Sequence, residues 1–391
     1  MENWKKNLYV VWVAQFITMA GMSMVIPFLP FYIRELGVTA QAEVERWSGY
    51  IFAGPFIVSF FITPVWGALG DRFGKKKMVL RAVLGLAVSQ VLIGFSGDIY
   101  QLFLFRMFQG FASGFIPASL ALVSASSPKE KSGYAIGVLQ TSIAAGGIIG
   151  PLMGGVIADF TSHRVVFFIT AALCIISSVF VMYYVKEPER IKNRNSSPGV
   201  MENLKFSVRH DVLAVALISI MIAQMSISIT QPGFALFIET LTENKAYLST
   251  ISGLLFGITG IAMAAASPWW GKKNDRKNSS KYLNIAMIGG IAALCAHSFI
   301  FSYYLLFPVR ILLGICTGGM VPAFYSIINK NIPDDRKSGL MGIASSSTIL
   351  GNMLGPLMYS SLVSFIGLRY VFSAAGILLF ANLLFIRYKH L

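Results

Sequence analysis

Runs of about twenty or more apolar residues recur along this 391-residue chain. A helix of roughly 20 residues crosses the hydrocarbon core of a bilayer, where every backbone N–H and C=O must be paired inside its own segment. Composition agrees, because 55% of the residues are hydrophobic and only 13% are charged, about half the charged share of a soluble domain. We therefore predict an all-α membrane protein and exclude a soluble enzyme, a disordered chain and a secreted disulfide scaffold.

Twelve apolar segments can be marked, which predicts twelve transmembrane helices. They cover residues 8–33, 47–69, 78–96, 101–125, 134–157, 164–185, 211–238, 247–270, 282–300, 304–328, 339–363 and 369–388. A polar, charge-rich stretch separates the sixth segment from the seventh. We therefore predict an N-terminal six-helix bundle over residues 1–185, a cytoplasmic linker over 186–210 and a C-terminal six-helix bundle over 211–391.

The basic residues predict the orientation. If the N-terminus is inside, 25 of the 32 Lys and Arg residues lie in cytoplasmic connections, in the termini or at the span ends beside them, and five lie on the outer side. Those five are Arg34, Arg46, Arg164, Lys245 and Arg369, and the remaining two, Arg106 and Arg310, lie deeper within spans. This bias places both termini in the cytoplasm. It also explains most of the net charge of +15, so no nucleic-acid partner is expected.

The two halves of the chain repeat each other at an offset of about 205 residues. Residues 63–67 (TPVWG) are echoed by 267–271 (SPWWG), and Arg106 is echoed by Arg310. Each half has six spans, so the second half re-enters the membrane in the same orientation. Parallel repeats of this kind enclose a binding site near the midplane, which rocking exposes to either side in turn. We predict two pseudo-symmetric bundles that form an alternating-access carrier.

Three motifs resemble those of the major facilitator superfamily. Residues 67–77 (GALGDRFGKKK) resemble its signature loop, and 102–114 (LFLFRMFQGFASG) resemble the fourth-helix motif of its proton-coupled members. Residues 146–155 (GGIIGPLMGG) resemble the fifth-helix motif of antiporters in the twelve-span drug:proton branch. The resemblance implies proton-coupled export of drug-like small molecules across the bacterial inner membrane. We expect a monomer in the lipid bilayer, with a small-molecule substrate and protons as partners and without a cofactor.

The signature loop predicts a conformational latch. An acid among bases can pair with different groups in inward- and outward-open states, or cap a neighbouring helix. The latch candidates are Asp71, Arg72 and Lys75, with Asp275 and Arg276 in the second copy. The alternative is an ordinary basic loop that only fixes topology.

The fifth-helix motif predicts a packing seam. Gly146, Gly150 and Gly154 have a spacing of four, which puts them on one helix face, and Pro151 adds a bend. We expect this face to pack tightly against the other half and to resist leakage. The alternative is generic helix packing.

Arg106 and Arg310 are the strongest candidates for substrate binding. A charge within the membrane is costly and indicates function. Because arginine keeps its proton, these residues could hold an anion or tune the proton affinity of a neighbouring group. The alternative is that they snorkel to the outer surface. Polar residues that could line the same chamber, or merely contact another helix, are Gln15, Gln109, Gln140, Gln224, Ser228, Gln231 and Asn352.

None of the 17 acidic residues lies in the middle of a span. We therefore expect an anionic, zwitterionic or neutral substrate rather than a permanent cation. The candidates for carrying the proton are Asp159, Glu239 and His297, although a lone histidine is more often a packed polar residue. The three cysteines lie inside apolar runs, so neither a disulfide nor a metal site is expected.

The sequence also bears on several other functions. The main alternative is a dedicated exporter of an anionic metabolite, such as a carboxylate siderophore, because of the two arginines and the missing acid. Uptake is disfavoured by the motif in residues 146–155. A membrane-embedded enzyme would need a reactive cluster within the spans, and a channel would need a filter or a multi-subunit ring. An ATP-driven pump would need a phosphate loop, whose spacing residues 70–75 do not have.

Overall fold

The computed structural model describes residues 3–128, 131–186, 200–242, 245–274, 279–332 and 336–389. Every predicted span is helical there, and these residues contain no strand. The first eight helices are α1 (Asn3–Met24), α2 (Leu29–Glu35), α3 (Gln41–Phe73), α4 (Lys75–Gly94), α5 (Ile99–Phe111), α6 (Phe115–Ser126), α7 (Ser132–Phe160) and α8 (His163–Tyr184). The other eight are α9 (Val200–Arg209), α10 (Asp211–Ser228), α11 (Gln231–Thr240), α12 (Leu248–Asn274), α13 (Ser279–His297), α14 (Leu306–Lys330), α15 (Lys337–Ile366) and α16 (Tyr370–Tyr388).

The twelve-helix prediction agrees with this architecture. Eleven helical stretches of the described chain are long and apolar enough to cross a membrane. The one remaining predicted segment, the ninth at residues 282–300, is occupied by the 19-residue α13. The chain is therefore an all-α, multi-pass membrane protein.

Three predicted spans are broken helices. The first folds as α1 and α2, the fourth as α5 and α6, and the seventh as α10 and α11. Pro30 and Pro232 lie in the first turns of α2 and α11, where a missing N–H leaves no intrahelical bond unmade. Gly114, which precedes α6, has a φ of +101°, a left-handed conformation that favours glycine. The breaks therefore occur where a proline starts a new helix or a glycine adopts a left-handed conformation, although the apolar run itself is continuous.

The chain divides into two compact units. Unit 1 comprises Met1–Trp47, Gly54–Arg190 and Asn244–Gly257, and unit 2 comprises Ser48–Ala53, Ile191–Glu243 and Ile258–Leu391. The first turns of α12 are therefore grouped with the N-terminal helices, and a short piece of α3 is grouped with the C-terminal helices. Each unit has its own buried apolar core.

Helix-to-helix hydrogen bonds confirm the internal duplication, because the same bonds recur in each unit at the repeat spacing. The unit 1 bonds are Ser23 Oγ to Gly146 O (3.0 Å), Trp66 Nε1 to Phe111 O (2.8 Å) and Ser177 Oγ to Ala14 O (2.9 Å). Their unit 2 counterparts are Ser228 Oγ to Gly351 O (2.9 Å), Trp270 Nε1 to Ile315 O (2.8 Å) and Asn382 Nδ2 to Ser219 O (3.0 Å). The sequence repeat is thus a repeat of packing contacts.

Candidate functional site

Arg106 lies on α5, whose first turn is fixed by Asp98. The Asp98 carboxylate accepts a hydrogen bond from Gln101 N at 2.8 Å, a side-chain N-cap. Arg106 is only 8% exposed, and its Nη1 donates to Gln109 Oε1 at 2.9 Å. Its Nε is buried and has no hydrogen-bond partner among the described residues. Protein thus encloses this cation and leaves its Nε–H group without a hydrogen bond in the described chain.

Arg310 is the repeat partner of Arg106 and lies on α14. It is 4% exposed, and its Cζ lies 3.2 Å from the centroid of the Phe234 ring. The quadrupole of an aromatic face attracts a cation, and the attraction strengthens when both groups are desolvated. The sequence did not single out Phe234, because one phenylalanine in an apolar run carries no distinguishing signal. The ring supplies a stacking partner for the buried guanidinium.

Two of the predicted amides meet in unit 2. Gln224 Nε2 on α10 donates to Asn352 Oδ1 on α15 at 2.8 Å. Ser228 lies one turn further along α10, but its hydroxyl donates to a backbone carbonyl of α15, so it serves helix packing. Gln231 is partly exposed at the start of α11.

The predicted amides of unit 1 lie in different environments. Gln15 on α1 is fully buried, and within the described part of the chain neither of its amide atoms has a hydrogen-bond partner. Gln140 on α7 is exposed. Gln15 therefore carries unsatisfied polar atoms, which are costly in an apolar interior.

The glycine face of α7 packs on α1. An added methyl at Gly146 would lie 2.8 Å from Ala20 N, and methyls at Gly150 and Gly154 would overlap backbone oxygens of α1. The three glycines therefore pack within the N-terminal half, on α1, rather than against the other half. Spacing-four glycines indicate that a helix approaches closely, without indicating which one. Pro151, the fourth residue predicted for the seam, does touch the other half of the chain, because its backbone oxygen lies beside Gly253 in the first turns of α12, which cluster with unit 1.

Part of the predicted latch lies outside the described residues. This is true of Asp275, Arg276 and the side chain of Asp71. Arg72 is exposed, with its Cζ 5.4 Å from the ring centroid of the adjacent phenylalanine. Lys75 is half-buried and lines a cavity of about 90 Å³.

Arg81 lines the same cavity. The sequence did not distinguish it from the other basic residues on the cytoplasmic side. Its Cζ lies 3.7 Å from the centroid of the Trp66 ring, and its Nη2 donates to Ser113 O at 2.8 Å. The arginine therefore ties α4 to α3 and to the break between α5 and α6. The one sequence feature that could have marked Arg81 is its position one helical turn after the Lys75–Lys77 cluster.

Asp159 caps the start of α12. One carboxylate oxygen, Oδ2, accepts from Thr250 N and from Thr250 Oγ1, both at 2.7 Å. The other, Oδ1, accepts from Ser249 N at 3.3 Å. A negative charge at a helix N-terminus is stabilised by the unpaired N–H groups and by the helix dipole. The Asp159 carboxylate therefore holds the start of α12 against the end of α7.

A histidine extends this polar cluster. His163 Nδ1 lies 2.6 Å from Glu35 Oε1, and His163 Nε2 lies 3.5 Å from Ser249 Oγ. Glu35, His163, Ser249 and Asp159 therefore form a continuous chain of polar groups from α2 to α12. The sequence reasoning did not single out Glu35 or His163, because they are far apart in sequence and lie at the ends of spans.

The other two proton candidates differ from Asp159. Glu239 is partly buried near the end of α11. His297 is fully buried, its ring lies parallel to Phe372 with centroids 5.0 Å apart, and its Nδ1 is 2.7 Å from Ala293 O. A carbonyl only accepts hydrogen bonds, so Nδ1 carries the proton. Nε2 is buried without a partner in the described chain, which favours a packed neutral histidine.

No group of three or more His, Cys, Asp and Glu residues in the described ranges could hold a metal ion. The free cysteines there are Cys174, Cys295 and Cys316.

Comparisons with known proteins agree with this architecture. The family model for the Major Facilitator Superfamily matches residues 11–303 and 216–390. The chain is 35% identical over 387 residues to the multidrug resistance protein MdtG of Proteus mirabilis, covering 98% of this chain and 96% of the relative. It is 34% identical over 380 residues to MdtG of Salmonella arizonae, covering 97% and 94%.

Solved structures share the fold at low sequence identity. The human organic anion transporter MFSD10 superposes with a TM-score of 0.73 at 15% identity, covering 99% of this chain and 100% of that one. The nucleoside transporter NupG gives a TM-score of 0.78 at 14% identity, covering 98% and 99%. A bacterial homologue of the human lysosomal transporter Spinster gives 0.80 at 14% identity, covering 100% and 97%.

Proposed function

This chain belongs to the major facilitator superfamily, and from that premise we propose that it exports drug-like amphiphilic or anionic small molecules in exchange for protons. The observation that carries the proposal is 35% identity to a multidrug resistance protein over 98% of the chain. The chain is a membrane transporter of small molecules rather than an enzyme. Export, proton exchange and alternating access between the duplicated bundles are the proposed mechanism, with both termini in the cytoplasm.

The two buried arginines support an anionic or polar substrate. Arg106 and Arg310 occupy matching positions of the repeat, and each is nearly enclosed by protein. Burying a cation is costly unless another group compensates. At Arg106, whose Nε has no partner among the described residues, an anion could supply that compensation through the guanidinium N–H groups. The Gln224–Asn352 pair provides further donors and acceptors in unit 2. A molecule with an apolar body and a negative or polar group fits these features.

Asp159 is the proposed proton-responsive group. As a carboxylate it accepts hydrogen bonds from Ser249 N, Thr250 N and Thr250 Oγ1. Protonation turns one oxygen into a donor, which removes an acceptor and weakens the hold on α12. Binding a proton would therefore favour movement of the first turns of α12. His163 and Glu35 continue the polar cluster and offer a route by which a proton reaches it.

Transport in sealed vesicles tests the proposal. Vesicles are prepared with the cytoplasmic side of the protein facing outward and with an acidic interior. The proposal predicts uptake of an anionic amphiphile that stops when the pH gradient is collapsed, with little uptake of a matched quaternary cation. Tight binding and transport of the cation in preference to the anion would contradict the proposed charge preference.

Variants of Arg106 test whether this residue determines the preference for an anionic over a cationic substrate. Arg106→Gln is expected to abolish the preference for the anion, whereas Arg106→Lys should retain part of it. Arg164→Gln is the matched control, because Arg164 Nη2 donates only to the backbone oxygen of Ser96 at 3.2 Å. An unchanged anion preference in Arg106→Gln would remove this residue from the site.

Neutral variants test the proton candidates. Asp159→Asn is expected to weaken the dependence of transport on the pH gradient, whereas Asp98→Asn is the matched control because asparagine also caps helices well. Glu239→Gln and His297→Asn complete the series. Unchanged coupling in all three candidate variants would reject the whole set.

A dedicated exporter of an anionic metabolite, such as a carboxylate siderophore, is the second candidate. It is favoured by the same two buried arginines. Competition separates the two functions, since a multidrug exporter is inhibited by many unrelated amphiphiles and a dedicated exporter by one chemical class only.

A further inference from the structure

The predicted linker contains a helix that is fixed against unit 2. On the inner face of α9, Asn203 and Ser207 are buried. A methyl on Gly339 of α15 would overlap the Asn203 side chain, so the two helices are in close contact. At the edge of α9, Glu202 Oε1 accepts from Arg336 Nη2 at 2.7 Å. The orientation of α9 about its own axis is therefore set by packing.

The outer face of α9 is apolar with a basic border. Met201, Leu204 and Val208 are 64%, 43% and 68% exposed. At about 100° per residue these three side chains fall within an arc of about 60°, and Lys205 and Arg209 occupy the neighbouring arc on one side. Leu204, Lys205, Val208 and Arg209 together line a surface depression of about 250 Å³. The helix thus presents apolar side chains beside two cations.

The position of α9 along the chain places this helix next to the bilayer. Only His210 separates α9 from Asp211, the first residue of the membrane-crossing α10. The bias in basic residues assigns this end of α10 to the cytoplasmic side, where the leaflet carries anionic lipids. Amphipathic helices with such faces lie in the interface, with apolar residues at the acyl boundary and Lys and Arg at the headgroups.

We propose that the outer face of α9 is a binding surface for anionic phospholipids of the cytoplasmic leaflet. Met201, Leu204 and Val208 contact the acyl boundary, while Lys205 and Arg209 bind lipid phosphates. The surface is independent of the substrate site and anchors the linker end of unit 2 to the membrane. A basic border and direct continuity with a membrane-crossing helix favour a lipid surface over a soluble protein partner.

The test uses a fluorescent probe on the full chain in nanodiscs. Leu204→Cys is labelled with an environment-sensitive dye in a chain that also carries Cys295→Ala, since Cys174 and Cys316 are buried. Nanodiscs of phosphatidylcholine alone are compared with nanodiscs containing increasing phosphatidylglycerol. Quenching by spin-labelled lipid and by aqueous iodide reports whether the dye lies in the bilayer or in water.

The surface is supported if phosphatidylglycerol increases quenching by spin-labelled lipid and protects the dye from iodide. In the K205Q/R209Q variant the apparent affinity for phosphatidylglycerol should fall about thirtyfold, the factor given by about 1 kcal/mol per basic residue. The control K131Q/K389Q removes the same charge from exposed residues on the same predicted side and should leave the affinity unchanged. Thermal unfolding of each variant verifies folding.

Three results would overturn the proposal. The first is a dye that stays fully accessible to iodide in every lipid mixture. The second is an equal loss of affinity in the control variant, which would mean that only the overall charge matters. The third is protection of the dye that depends on protein concentration and not on phosphatidylglycerol, which would assign the face to a second copy of the chain.

Discussion

Replacing Gly146 by alanine is expected to separate α7 from α1 and to destabilise unit 1. The added methyl would lie 2.7 Å from Met19 Cβ, 2.8 Å from Ala20 N and 2.9 Å from Phe16 O. Two of these neighbours are backbone atoms of α1, which no change of rotamer can move away. The helices themselves must therefore give way.

The magnitude follows from these distances. Ordinary contact begins at 3.4 Å, so the helices must move apart by about 0.5–0.7 Å. That movement takes the 3.0 Å hydrogen bond between Ser23 Oγ and Gly146 O beyond normal range. Overpacking costs about 1–3 kcal/mol, and losing the Ser23–Gly146 bond adds up to about 1 kcal/mol, since the single Ser23 hydroxyl proton can turn to Met19 O at 2.8 Å. The expected destabilisation is therefore about 1–4 kcal/mol.

Gly147→Ala is the matched control on the same helix. Nothing lies within 4 Å of a methyl at Gly147, so the identical chemical change should be neutral or stabilise the helix by up to about 1 kcal/mol. Gly351→Ala repeats the test in unit 2, where the methyl would lie 2.6 Å from Met221 O. Its control is Gly342→Ala, which also has open space around the added methyl.

Thermal unfolding of the purified protein, followed by tryptophan fluorescence, measures all four variants. Gly146→Ala and Gly351→Ala should both unfold at lower temperature than the wild type, and the two controls should not. If Gly146→Ala unfolded at the same temperature as Gly147→Ala, the close approach of α7 to α1 would be refuted.

Three further perturbations follow from single contacts. A double-mutant cycle of Gln224→Leu and Asn352→Leu should give a coupling energy of about 0.5–1.5 kcal/mol in unfolding measurements, and additive effects would contradict the 2.8 Å bond. Arg310→Lys should lower stability by about 1–2 kcal/mol because a flexible ammonium loses the stacked geometry over Phe234; an unchanged unfolding temperature would count against that contact. Thr250→Val removes the hydroxyl that donates to the Asp159 carboxylate but keeps the backbone N–H donor. The pH dependence of transport should therefore change less in this variant than in Asp159→Asn.

The spans and the duplication could be predicted because both can be recognised in the sequence without knowing which helices touch. Hydropathy marks a membrane-crossing segment without knowledge of its neighbours, and the offset between Arg106 and Arg310 depends only on counting along the chain. The breaks inside three spans were not predicted, since Pro30 and Pro232 stand within apolar runs that look continuous. A proline alone would not have located the breaks, because Pro64, Pro151 and Pro356 lie inside unbroken helices.

The contacts of the candidate site were harder to predict. The pattern at Gly146 indicated close approach correctly and its partner incorrectly, because spacing describes one helix face and is silent about the opposing helix. Asp159 was recognised as an acid near the end of a span, but its hold on Thr250 depends on a residue about ninety positions away. The linker does contain apolar residues at helical spacing, at Met201, Leu204 and Val208. The many charged residues around them drew attention away from this pattern.

Distances between spin labels on the two halves test most directly whether the duplicated bundles swing about a shared chamber. One pair replaces Tyr100 and Tyr304, and the other replaces Tyr184 and Tyr388; all four residues are exposed, and each pair is related by the repeat. Orientation predicted from the basic residues puts the first pair outside and the second inside. Alternating access predicts that lowering the pH or adding substrate lengthens one distance and shortens the other. If both distances stayed constant, or changed in the same direction, the carrier mechanism would be contradicted.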